Sequence, residues 1–179
     1  MEIAVLGGGN GSLAAAIDFT TKGHEVRFWR RNSKAISTLK SANNTMKLKD
    51  FSGIQEVKIS KVTQSISEAI KGAELIVCPI PAMGQLDVAN LIAPHLENQQ
   101  VVLLPPGSFG SWIFAKSLAD SKNNANVSFA ESGTLPYLAR LNGPLTIAIT
   151  TRATRLPTGV FPLKNKTHAL SVIKQAYPA

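Results

Sequence analysis

The feature that most constrains this chain is a short apolar run that breaks directly into a glycine turn. Ile3-Ala4-Val5-Leu6 carries no polar residue, as suits a strand buried on both faces of a parallel sheet. Gly7-Gly8-Gly9-Asn10-Gly11-Ser12 comes next, and the small residues Ala14, Ala15 and Ala16 continue into a helix predicted from about Asn10 to Lys22. Gly23 is a suitable stop for that helix, and Glu25-Val26-Arg27-Phe28-Trp29 reads as a second strand. Strand, turn, helix and strand thus occur in order within one βαβ length, a stronger signal than the glycines alone.

In a Gly-x-Gly-x-x-Gly/Ala turn of this kind, Gly7 allows the tight bend and Gly9 lets the backbone approach a pyrophosphate. The third position sets helix–strand packing, and here it is Ser12, which either fits as a small residue or offers its hydroxyl to a phosphate. Asn10 and Gly11 complete the candidate cradle. Free N–H groups at the helix start, with the macrodipole, favour an anion by about 0.3–2 kcal/mol. The reading is a dinucleotide-binding (Rossmann) unit. A NAD site commonly ends the second strand with an acidic residue for the ribose 2′-OH, but this chain has Arg30 and Arg31 there. A guanidinium pairs with a 2′-phosphate instead, which favours NADP over NAD; the alternative is two solvated arginines, one stacking on adenine.

With 179 residues the chain has the length of one domain. Its 44% apolar content and mean hydropathy of +0.07 are those of a folded globular protein rather than a disordered one. The longest apolar stretch, Leu75 to Met83, is too short to span a bilayer and contains Pro79 and Pro81. No leader precedes the first strand, so no membrane association and a cytoplasmic location are expected. Cys78, the single cysteine, excludes an internal disulfide, and His24, His95 and His168 stand in no metal-ligand spacing, so no metal is expected. The net charge of +8 is spread along the chain without a basic run or interleaved aromatics, which argues against nucleic acid and for a polyanionic cofactor.

Further along, Asn32 or Ser33 can cap a second helix, and Met46 to Val62 reads as a hairpin or an irregular β insertion about Asp50-Phe51-Ser52-Gly53. Ser65-Ile66-Ser67-Glu68 has capping-box spacing for a short helix ending at Gly72. Leu75 to Cys78 is a buried strand. Met83, Leu86, Ala89, Ile92, Ala93 and Leu96 then keep helical spacing and predict a crossover helix with these residues on its apolar face. Val101–Leu104, Val127–Ala130, Leu145–Thr150 and Val160-Phe161 read as strands, Trp112–Leu118 and Thr167–Ala176 as helices. This alternation predicts an α/β fold with a doubly wound, mostly parallel sheet and ligands outside the carboxyl ends of its strands.

Three expected loops lie at those ends: Ile80-Pro81-Ala82, Pro105-Pro106-Gly107, and Glu131 to Tyr137. With Gly7 to Gly11, the run Leu104-Pro105-Pro106-Gly107 and the segment Glu131, Leu135-Pro136-Tyr137 and Arg140, the chain resembles the N-terminal domain of the octopine/nopaline (opine) dehydrogenase family. Phe161-Pro162-Leu163 and Ala176-Tyr177-Pro178 fit the end of that domain. The resemblance implies reductive joining of an amino acid to a 2-oxo acid with NADH or NADPH. It also places Pro81, Pro106 and Gly107 along the nicotinamide half of the cofactor and Glu131 to Tyr137 near the mouth of the substrate cleft, with Glu131 the residue of that segment to touch ligand. The glycerol-3-phosphate dehydrogenase N-terminal domain is similar in the glycine turn and at Ile80-Pro81, but that family carries a lysine where this chain has Pro105-Pro106. Ketopantoate reductase is a weaker match.

The opine family's catalytic histidine belongs to a second, helical domain that would begin about where this chain stops, at Ala179. Residues 1–179 are therefore read as one dinucleotide-binding domain that holds no catalytic residue and is not active alone. The expected partner is the missing helical domain, another subunit or a second copy of the chain. A non-catalytic NADP(H)-binding module is the reading from another class.

Overall fold

Glu2–Leu6 (β1) lies inside a seven-stranded sheet in the computed structural model, which describes residues 1–177. Pro178, part of the expected domain end, and Ala179 lie outside the described residues. The small row of Ala14, Ala15 and Ala16 lets the first helix, Asn10–Thr21 (α1), settle closely on β1, and all three are buried. Gly23 comes after it with φ +81°, the left-handed conformation that a glycine takes at no steric cost. Glu25–Trp29 (β2) then pairs parallel to β1.

Ser33–Ser41 (α2) starts at Asn32, whose side chain accepts from the Ala35 N–H at 2.9 Å. The expected hairpin is Thr45–Asp50 (β3) with Gly53–Lys58 (β4), but it ends before Val62. Lys61–Thr63 (β5) leaves the hairpin and pairs parallel to β2 as an edge of the main sheet. Ser65 caps Ile66–Ile70 (α3) by accepting from Glu68 N–H. The Glu68 carboxylate does not complete the capping box; it turns to the Thr63 hydroxyl and the Lys61 ammonium.

Leu75–Val77 (β6), Val101–Leu104 (β7) and Ser128–Ser132 (β8) continue the main sheet. The chain then leaves it for Tyr137–Leu141 (β9) and Thr146–Arg152 (β10) and returns with Thr158–Phe161 (β11). The order is β11-β8-β7-β6-β1-β2-β5, parallel except for β11. Helices α3, Gln85–Ile92 (α4) and Gly110–Asp120 (α5) cover one face, and α1 with Lys166–Ala176 (α6) covers the other. Two buried apolar clusters result, one on each face. This is the doubly wound Rossmann architecture, with its loops at the carboxyl ends of the strands.

Two expectations need correction. Met83 and Leu86 are not on the buried face of the crossover helix: Met83 is 97% exposed in a short 3₁₀ turn, and Leu86 is 55% exposed. The turn offsets the helical phase before α4 begins, so Val88, Ala89 and Ile92 carry the packing. Secondly, Leu145–Thr150 is not a strand of the main sheet. β9 and β10 form an antiparallel pair, and β10 runs parallel to β3. A second sheet of order β4-β3-β10-β9 results, and Met46, Leu48, Ile147 and Ile149 join the core on the α1 face.

A buried ionic cluster fastens this second sheet to α1. Asp18, 1% exposed, accepts from Arg152 Nε at 2.7 Å and from the Tyr137 hydroxyl at 3.0 Å, and pairs with Lys22 Nζ at 2.9 Å. Arg152 also reaches Asp50 at 3.0 Å, so β3, β9 and β10 are all tied to one helix.

His24, in the turn between α1 and β2, has a buried Nε2 without a partner. Burial, the largest cause, moves its pKa down from the ordinary value. The folded state then binds fewer protons than the unfolded one, so stability falls as pH drops below about 6.5. His24→Gln is expected to flatten that loss in urea melts between pH 7 and pH 5; an unchanged pH slope would refute the assignment.

Candidate functional site

The glycine turn connects β1 to α1 at the carboxyl end of the sheet, and its parts do different work. Gly7, with φ +131°, donates its N–H to Trp29 O at 3.1 Å, locking the turn to the end of β2. A Cβ there would lie 2.4 Å from Ser12 Oγ, so only glycine fits. Ser12 is fully buried, and its hydroxyl points inward toward the carbonyls of Leu6 and Pro79, at 3.5 and 3.4 Å. Gly11 faces Leu135 and Pro79, and Asn10 Oδ1 accepts from Leu141 N–H at 3.0 Å, pinning β9 to the helix start. Gly9 differs: nothing lies within 4 Å of the position a Cβ would take, so its backbone is open to a close-lying ligand.

Two recesses open beside this turn, separated by Arg30. One, about 270 Å³, is bounded by Gly7, Trp29, Ile80, Pro81 and Val88. The other, about 480 Å³, is bounded by Gly9, Asn32, Lys34, Thr38 and Leu145. Arg30 and Gly8 border both. The Arg30 guanidinium donates from Nη2 to Gly8 O at 3.0 Å and lies 5.8 Å from the Phe28 ring centroid. Its Nε is buried with no partner, and burial lowers its pKa from the ordinary value, though a guanidinium keeps its charge. Arg31 diverges from Arg30: it lines the smaller recess and approaches Asp87 on α4 at 3.8 Å, an exposed pair of little energetic weight.

The other expected contacts gather at a separate point along the same edge. Gly107 N–H donates to Ser132 O, and Gly107 O accepts from Gln85 Nε2, both at 2.9 Å. The Glu131 side chain folds over Gly107 so closely that a Cβ there would lie 2.0 Å from Glu131 Cβ. Ser111 Oγ donates to Glu131 Oε1 at 3.1 Å, while Glu131 Oε2 is buried without a partner. An unpaired buried carboxylate oxygen is costly, and the position favours an incoming hydrogen-bond donor. Pro106 precedes this step and borders neither recess.

Of the residues singled out from the sequence, Gly7, Gly9, Arg30, Arg31 and Pro81 surround the two recesses, and Pro106, Gly107 and Glu131 form the second group. Asn10 also lines the larger recess while its Oδ1 holds β9, and Gly11 and Ser12 serve the turn and its neighbours through their side chains or lack of one. Sequence reasoning missed Gly8, Trp29, Lys34 and Gln85. Lys34 could have been found: α2 has no acidic residue in its first turn and carries a lysine there, contrary to the dipole preference. Among the described residues no group of three or more His, Cys, Asp or Glu could hold a metal, and no helix is long and apolar enough to cross a membrane.

A parallel sheet with this turn at the carboxyl end of its first strand defines an NAD(P)-binding dehydrogenase domain. The chain belongs to the family described as NAD-dependent glycerol-3-phosphate dehydrogenase N-terminus, whose model matches residues 2–107. It is 31% identical over 106 residues to the glycerol-3-phosphate dehydrogenase [NAD(P)+] of Limosilactobacillus reuteri, covering 57% of this chain and 30% of that enzyme. It is 25% identical over 142 residues to the opine dehydrogenase of Arthrobacter sp. (strain 1C), covering 79% of this chain and 39% of the relative. In fold it is similar to octopine dehydrogenase solved with NADH and agmatine, at TM-score 0.77 and 20% identity, over 95% of this chain and 46% of that one. The chain thus spans less than half the length of these relatives.

Proposed function

We propose that this chain is the NAD(P)-binding domain of an opine-dehydrogenase-like oxidoreductase that prefers the phosphorylated dinucleotide. The observation that carries the preference is Arg30, which stands at the end of β2 beside the glycine turn, where an acidic residue would serve the ribose hydroxyl of NAD. The open backbone at Gly9 suits the pyrophosphate, and the recess bounded by Trp29, Ile80 and Pro81 suits the adenine ring, which puts Pro81 on the base side of the cofactor rather than along the nicotinamide half that the resemblance implies. Gly107, Pro106 and Glu131 would flank the nicotinamide half, with Glu131 Oε2 free to accept a hydrogen bond. Bound there, the nicotinamide supplies hydride transfer. This chain's residues bind and orient the cofactor, and the acid–base group for the substrate comes from a helical domain or partner subunit. By this reading the isolated chain binds nucleotide without turnover, in the cytoplasm. A glycerol-3-phosphate dehydrogenase reaction is the second reading, favoured by the family match over residues 2–107.

The test is fluorescence titration of the purified chain with NADPH and NADH. NADPH is expected to bind at least tenfold more tightly, and Arg30→Ala to remove most of that difference, since charge-assisted hydrogen bonds contribute about 1.5–3 kcal/mol. Equal affinities in the unaltered chain would end the NADP assignment. Binding of neither nucleotide would end the cofactor-domain reading.

A further inference from the structure

The two arginines that end β2 point to different places, and this divides the site. Arg31 leans over the smaller recess toward Asp87, away from α2. The larger recess, about 480 Å³, lies on the other side of Arg30 and is bounded by the start of α2. Three features there suit an anion. Asn32 spends its Oδ1 on the Ala35 N–H, so the amide nitrogen is what it has left to offer, and that is a donor. Lys34 lines the recess from the first turn of α2, where the helix dipole disfavours a cation, and no carboxylate pairs with it among the described residues. Arg30 borders the same space with a buried, unpartnered Nε. The cost of placing Lys34 there is offset if a phosphate dianion shares the recess.

We infer that Lys34, with Arg30 and Asn32, forms the seat of a phosphate monoester on the α2 side of the glycine turn, and that Arg31 takes no part in it. The inference rests on the dinucleotide reading above and deepens it: the ligand is a nucleotide phosphorylated on the ribose edge that faces α2. Lys34 becomes the residue that separates phosphorylated from unphosphorylated ligand, and Arg31 belongs to the base side.

The experiment is calorimetric titration with 2′,5′-ADP and with 5′-AMP, using the unaltered chain, Lys34→Met, Lys34→Arg and Arg31→Ala. Lys34→Met is expected to weaken 2′,5′-ADP about tenfold and leave 5′-AMP within twofold. Lys34→Arg should keep most of the discrimination. Arg31→Ala should leave the ratio of the two affinities unchanged, whatever it does to both. The inference is overturned if Lys34→Met leaves 2′,5′-ADP binding intact, if it weakens both ligands equally, or if Arg31→Ala abolishes the ratio instead. A chain that discriminates between the ligands while ignoring Lys34 refutes this seat alone. A chain that binds both nucleotides without discrimination refutes the NADP preference, and one that binds neither refutes the cofactor reading as well. Thermal melts of each variant without ligand separate misfolding from lost contacts.

Discussion

Asp18→Ala is expected to destabilise the chain by about 3 kcal/mol, because it strands three partners at once. The Tyr137 hydroxyl loses its acceptor in a buried setting, Lys22 loses its pair, and Arg152 keeps only Asp50. The arginine and lysine are partly solvated, at 30% and 27% side-chain exposure, which holds the figure below the upper range for buried pairs. Asp18→Asn should recover part of the loss, since a carboxamide oxygen still accepts from Tyr137 but carries no charge. Urea unfolding monitored by tyrosine fluorescence and by circular dichroism measures both. A loss under about 1 kcal/mol for the alanine variant, no more than one ordinary hydrogen bond contributes, would mean that the ionic cluster does not hold the second sheet to α1.

Gly107→Ala carries the other large effect. The added methyl group would meet Glu131 Cβ at 2.0 Å and Oε2 at 2.1 Å, and Gly107 is fixed on both sides by its hydrogen bonds to Ser132 and Gln85. Either the loop or the carboxylate must move, at a cost of about 3 kcal/mol. If Glu131 serves the nicotinamide half, NADH binding should fall at least tenfold while 5′-AMP binding changes little. Equal weakening of both ligands would show a general distortion and remove Glu131 from the cofactor reading.

Most of the main sheet was legible from the sequence because its signals are local; the edge strand β5, read as the end of the hairpin, is the exception. Buried strands such as Leu75–Val77 and Val101–Leu104 are unbroken apolar runs, and the glycine turn sets the path of the chain out of β1 and into α1. The second sheet was not, because its partners are distant in the chain. Tyr137–Leu141 does alternate inward and outward at its start, but Gly133 and Pro136 just before it read as loop, and nothing local announces that Thr146 pairs alongside Lys47. The same limit applies at the site. Arg30 and Arg31 are adjacent and chemically identical in sequence, and only their opposed directions from the strand end separate them. Ser12 shows the converse: either role was open from its position, and its environment turns the hydroxyl inward to two carbonyls.

The parallel pairing of β3 with β10 bears on how this chain reaches its native state. Between these two strands in the sequence lie β5, β6, β7 and β8, more than half of the main sheet. Joining them early would require closing a very long loop with little compensation, whereas neighbouring parallel strands and their helices close shorter ones. Assembly is therefore expected to build the main sheet first and zip the second onto α1 afterwards. Met46 of β3 and Leu145, just before β10, both line the larger recess beside the glycine turn. Ligand binding there and completion of the fold thus draw on the same late step.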